Sequence, residues 1–182
     1  LQDYADITID WGDDSTSNHT DGVFPTHSYA SSATFTIKVT VNDAAKDIGR
    51  MNIANNNASK LLIRTVENWG EGKWSNFEQA FYGATNLTIP ATDEPDLSIT
   101  GGISMSSAFK NAENLIGTTL SDWDTSNVTT MSYMFSGSDT IYMLFNADIS
   151  GWNTDNVVDM QYMFWQCLVF DVGGTNNLSG WN

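Results

Sequence analysis

Leu120-Ser121-Asp122-Trp123-Asp124-Thr125-Ser126-Asn127-Val128-Thr129-Thr130-Met131-Ser132-Tyr133-Met134-Phe135 is matched almost position for position by Ile149 to Phe164. In both stretches a Phe stands twelve residues after a Trp, and Phe81 and Phe109 stand at the same distance from Trp69 and Leu97. A further copy opens with Trp181. Steps of 28, 26, 29 and 29 residues separate positions 69, 97, 123, 152 and 181. Periods in this range predict stacked units, each burying its apolar face only against its neighbours. Such arrays present extended surfaces more often than closed catalytic pockets.

Within a copy, Val128, Met131, Met134 and Phe135 fall at offsets 0, 3, 6 and 7, as do Val157, Met160, Met163 and Phe164. That spacing predicts about two turns of helix, too short to stand without packing. Asp124-Thr125-Ser126-Asn127 and Asn153-Thr154-Asp155-Asn156 read as turn and N-cap residues for it. Two residues after each Phe, Gly83, Asn111 and Gly137 supply a left-handed stop, from which Gln166 departs. Leu87, Leu115, Ile141 and Phe170 return six residues after each Phe, and Ile89, Met143 and Val172 follow two places later. Period-two spacing predicts a short strand, and stacking would line these strands into one parallel sheet. Thr88, Ile116, Tyr142 and Asp171 would then face outward and are the candidate ligand-binding residues. The repeated Trp, Met and Phe residues read as core, since Leu97 replacing a Trp suits packing better than sugar stacking.

Seven basic residues against 22 acidic ones give a net charge of −15, which opposes binding to phosphate backbones. No apolar run is long enough for a membrane span. Cys167 is the single cysteine, so no intrachain disulfide or cysteine-based zinc cluster forms, and its apolar neighbours Leu168 and Val169 mark it as a structural thiol.

Near the start, Ile7, Ile9 and Trp11 alternate, Gly12-Asp13-Asp14-Ser15 supplies a turn, and Phe35, Ile37, Val39 and Val41 alternate again. These predict a pair of half-buried antiparallel strands able to cover one end of the array. Asp10, Asp13 and Asp14 are the candidate metal ligands, and calcium is the hard cation that such an oxygen-rich turn would accept. His19 and His27 are the only histidines; nothing places a nucleophile elbow or an oxyanion hole beside them. Asn55-Asn56-Asn57 marks a loop, and Leu61 to Val66 reads as an entry strand.

The quoted stretches, with Ala80-Phe81-Tyr82-Gly83-Ala84-Thr85-Asn86-Leu87-Thr88-Ile89-Pro90, resemble the BspA-like leucine-rich-repeat surface proteins of bacteria over about residues 61–182. Residues 4–42 resemble the second half of a PKD-like sandwich through Ile9-Asp10-Trp11-Gly12-Asp13, His27-Ser28-Tyr29-Ala30 and Thr34-Phe35-Thr36-Ile37. The resemblance implies an α/β solenoid, a leucine-rich-repeat-like right-handed stack of strand-plus-helix units behind a small antiparallel β cap. It divides the chain into a partial PKD-like unit at 1–42 and an array at 43–182. In that array a cap and entry segment fills 43–66, and repeats open near Val66, Glu94, Leu120, Ile149 and Leu178. The 29-residue steps exceed that family's usual unit, so a longer loop is expected to project from each late copy. The implied function is a non-catalytic adhesin-type binding module, extracellular or on the bacterial surface, with a protein or carbohydrate ligand on a host or neighbouring cell. A structural spacer and a glycoside-active enzyme fragment are the competing readings.

Overall fold

The computed structural model describes residues 6–20, 25–43, 47–51, 59–115, 120–171 and 178–181. It divides into two compact units, Leu1–Gly49 and Arg50–Asn182.

In the first unit, strands β1 (Ile7–Asp10), β2 (Thr16–His19) and β3 (Lys38–Val41) form an antiparallel sheet in the order β2-β1-β3. Ile9 pairs with Ser17 on one side and Val39 on the other. The two expected strands are thus joined by a third, β2, whose polar sequence Thr-Ser-Asn-His hides it from hydropathy patterning. The β1–β2 turn needs left-handed backbone at Gly12 (φ 78°) and Asp14 (φ 63°). A Cβ on Gly12 would lie 2.6 Å from the Thr36 carbonyl oxygen, so this position tolerates only glycine on two counts. Trp11 and Ile9 are buried, whereas Ile37 and Val39 are half exposed.

The second unit overturns the α/β solenoid. The described residues from Gly49 onward hold short strands, β4 (Gly49–Arg50), β5 (Trp74–Asn76), β6 (Ile103–Ser104) and β7 (Val128–Thr130), and no α-helix. The helical content is two three-residue 3-10 turns, Ser59–Leu61 and Leu178–Gly180. A leucine-rich-repeat-like stack of strand-plus-helix units is therefore not what this sequence builds. The segments ending in Phe are tight turns instead. In each, alternate amides close bonds three residues back: Ala80 to Phe77, Ala108 to Met105, Met134 to Met131 and Met163 to Met160. The intervening amides point away and donate to the next copy. Phe77, Gln79, Phe81 and Gly83 donate to the carbonyls of Ser104, Ser106, Ala108 and Lys110. Met105, Ser107, Phe109 and Asn111 donate to Thr130, Ser132, Met134 and Ser136, and Met131, Tyr133, Phe135 and Gly137 donate to Asp159, Gln161, Met163 and Trp165.

The reason lies at the second position of this row. Gln79, Ser107, Tyr133 and Tyr162 all take φ near 56°, which a right-handed helix cannot propagate through. A two-turn helix is marginal alone, and here the same amides gain partners in a neighbouring copy. Asn76, Ser104, Thr130 and Asp159 start each turn by accepting, through a side-chain oxygen, the amide two residues on. The left-handed stop occurs at Gly83, Asn111 and also Gln166, while Gly137 does not adopt it.

The repeated large apolar positions form the core in the first three copies, whereas Val157, Met160 and Phe164 of the fourth are only partly buried. Val128, Met131, Met134 and Phe135 are fully buried. Phe81, Phe109, Phe135 and Phe164 stack in a column with ring centroids 5.5, 5.8 and 6.0 Å apart. Trp123, Trp152 and Trp181 stack at 6.4 Å in a second column. Burying each of the fully enclosed rings, Phe81, Phe109 and Phe135, contributes about 2–3 kcal/mol.

The expected parallel sheet after each Phe is reduced to isolated bridges, Thr65 with Thr88 and Met143 with Cys167. Leu87 and Leu115 are buried there, but Ile141 and Phe170 are only partly so; Val172 and Asn55-Asn56-Asn57 lie outside the described residues. Leu61 to Val66 forms no strand beyond the Thr65 bridge. In the third copy, the extra residues do not simply project. They carry Met143 and Phe145 into the core, where Phe145 stacks on Phe135 at 3.8 Å.

Candidate binding face and acidic turn

In the φ ≈ 56° row Tyr162 is exposed, whereas Gln79, Ser107 and Tyr133 are partly buried. In the third and fourth copies the residue there is tyrosine. Tyr133 and Tyr162 stack at 5.0 Å with 23° between planes, and the Lys110 ammonium lies 4.4 Å from the Tyr133 ring centre. Tyr162 is 56% exposed. Lys60 sits 5.4 Å over Tyr82 in the same way, one residue after the Phe of its copy. Cation and aromatic ring faces attract electrostatically, so the three groups hold one another in place. The sequence carried a signal for this face, since Tyr recurs two residues before Phe135 and Phe164. Helical spacing concealed it.

The expected outward residues fare differently. Thr88, Tyr142 and Asp171 are exposed, and Ile116 lies outside the described residues. Thr88 is committed to a neighbouring copy through its amide on the Arg64 carbonyl at 2.9 Å, and the Asp171 amide donates to Asn146 Oδ1 at 2.6 Å. They stand on separate loops; the ring contacts join Lys110, Tyr133 and Tyr162 instead.

The acidic turn spends its oxygens on itself. Asp10 Oδ1 accepts the Gly12 amide at 2.9 Å. Asp13 Oδ1 accepts the Ser15 hydroxyl at 2.5 Å, and its Oδ2 lies 2.8 Å from His27 Nε2. Ser15 and then His27 hold the Asp13 carboxyl below the usual range. His27 also stacks on Trp11 at 4.8 Å and meets Tyr29 edge-on at 4.6 Å. Among the described residues no three His, Cys, Asp or Glu side chains group so as to hold a metal ion, Asp10, Asp13 and Asp14 included. Ser17 Oγ lies 2.8 Å from His19 Nε2 and also accepts the Trp11 indole N–H. Cys167 donates to the Phe145 carbonyl, and burial pushes its thiol up, away from the reactive thiolate.

No curated protein and no solved structure matches the chain. The family described as Mycoplasma protein of unknown function, DUF285, matches residues 76–182, from the first turn-starting side chain, Asn76, through every later copy. That is more than half of the sequence, and the chain belongs to this family.

Proposed function

We propose that this chain is a non-catalytic binding module of a bacterial surface protein, taking a protein or glycan ligand across the Lys110–Tyr133–Tyr162 face. The observation that carries the reading is that continuous stack of the exposed Tyr162 ring, the partly buried Tyr133 ring and one ammonium. Tyrosine offers a large amphipathic contact area at low entropic cost, and rings already stacked lose little freedom on binding.

The test is a screen of the immobilised chain against extracellular proteins and glycans, alongside a Tyr133→Ala/Tyr162→Ala variant. Binding should fall at least about tenfold in the variant while its thermal melt keeps one cooperative step. If the parent binds nothing, the spacer reading replaces this one. Equal binding by the variant would move the ligand to another face.

A further inference from the structure

The few cations of the array gather on the row of turns. Beyond Gly49 the sequence has five basic residues, and three of them, Arg50, Lys60 and Lys110, meet the turns of the first three copies. Residues 77–83, 105–111 and 131–137, which form those turns, contain one carboxylate, Glu78, and Arg50 pairs with it at 3.6 Å. Lys60 and Lys110 take no such partner. The ion pairs among the described residues are Arg50 with Glu78 and His27 with Asp13, and residues 52–58, 116–119 and 172–177 carry no Asp or Glu. In a chain with 22 acidic side chains, two ammonium groups on one face thus stand without a paired carboxylate.

Both are held over phenol rings instead. A Cβ at Gly83 would lie 3.0 Å from Lys60 Cδ, so the glycine makes room for the lysine stem, and Lys60 Nζ stands 5.4 Å from the Tyr82 ring centre. Lys110 follows Phe109 as Tyr82 follows Phe81. Its carbonyl accepts the Gly83 amide at 2.8 Å, which sets Tyr82 and Lys110 side by side in neighbouring copies. Lys110 Nζ in turn lies 4.4 Å from the Tyr133 ring centre. Lys60, Tyr82, Lys110 and Tyr133 therefore alternate cation and ring along the array, each of them partly exposed. A ring face engages one side of an ammonium and leaves N–H donors for an anion. The strip belongs to the first three copies and owes nothing to the last.

We propose that this strip binds an acidic glycan, a chain of sugar rings that carry carboxylates. The sugar rings lie with their C–H faces on Tyr82 and Tyr133, and Lys60 and Lys110 take the carboxylates. The inference rests on the reading of the Lys110–Tyr133–Tyr162 face given above and extends that face to Lys60 and Tyr82. An acidic peptide supplies carboxylates without ring faces beside them. A single-stranded nucleic acid supplies rings and anions, but it sets its phosphates closely against a chain of net charge −15.

The experiment is titration calorimetry of the full chain with oligogalacturonate and with a hyaluronan oligosaccharide, each against its methyl ester. The ester keeps the rings and removes the charge. At least one acid should bind about tenfold or more tightly than its ester, as charge-assisted hydrogen bonds require. That margin should shrink as salt rises from about 0.05 to about 0.5 M. Lys60→Met/Lys110→Met should erase the difference between acid and ester, whereas Lys60→Arg/Lys110→Arg should retain it, with a cooperative thermal melt showing that each variant folds. The comparison of acid with ester is made on the unaltered chain, so it holds whatever the variants do. Equal binding of acid and ester, with a loss in Tyr133→Ala/Tyr162→Ala, would overturn the acidic ligand and leave the binding face standing. The proposal also fails if neither acid binds, if the margin survives in the Met variant, or if a polyglutamate peptide or a single-stranded oligonucleotide binds more tightly than the acidic sugars.

Discussion

Phe109 has no alternative environment: it is fully buried, with Phe81 and Phe135 nearly parallel on either side. Phe109→Ala should therefore cost about 3–5 kcal/mol, read as a drop in the denaturant midpoint of the second unit. Ser107 is a different case, since its cost is in the backbone. Placing an L-residue in left-handed conformation costs about 1–2 kcal/mol, and glycine escapes this at an entropic cost of about 0.5–1 kcal/mol. Ser107→Gly should stabilise by up to about 1 kcal/mol in the same melt. Its neighbour makes the control, because Ser106→Gly relieves no left-handed strain and loses the 3.0 Å hydroxyl contact to Ser132. Gly137 is glycine for space alone. A Cβ there would collide with the Ile141 carbonyl oxygen and the Gln166 side chain, so Gly137→Ala should destabilise by about 1–3 kcal/mol.

Between copies, side chains reach across to main chain. Asn86, Asn114, Asn127 and Asn156 donate to the carbonyls of Leu61, Thr85, Leu97 and Ser126, each one copy earlier. Asp93 works in the other direction and accepts the Trp69 and Gly70 amides. Burial alone would raise the Asp93 carboxyl, but the Gly70 and Trp69 donors outweigh it and hold it below the usual range. Asp96 is lowered too, by Ser98, then Lys73. A carboxyl depressed on folding contributes stability above its unfolded value, about 3.9 for Asp, and loses it as pH falls through the lower folded value. The second unit should thus lose stability on acidification below about pH 4, and Asp93→Asn should flatten that limb in a pH series of thermal melts. An unchanged acid limb in the variant would mean that Asp93 contributes nothing to it.

Over the whole molecule, 22 acidic side chains against seven basic ones must repel one another. Glu94 reports it locally: burial first, then the charges of Asp122 and Asp124, push its carboxyl up. Added salt screens such repulsion, since the Debye length shrinks from about 30 Å at 0.01 M to about 3 Å at 1 M. The melting temperature should therefore rise between low and moderate salt, opposite to a protein held by surface ion pairs. A flat or falling salt series in differential scanning calorimetry would contradict this.

Composition and period were enough to place many of the buried residues, though Ile141, Val157, Met160, Phe164 and Phe170 are only partly buried. Phe81, Phe109 and Phe135 are core because a repeated large apolar residue must meet its own kind in the next copy, whatever the backbone does. Sequence also marked the Gly12–Asp14 turn, where left-handed backbone is needed. It did not determine the path between buried positions. Offsets of 0, 3, 6 and 7 suit a helix, and they suit equally a turn that alternates its amides between itself and the next copy. Only tertiary structure decides between them, because the deciding hydrogen bonds join residues a full repeat apart. The Lys110–Tyr133–Tyr162 face follows from that choice. Side-chain patterning records burial and carries almost no information about which way an N–H points.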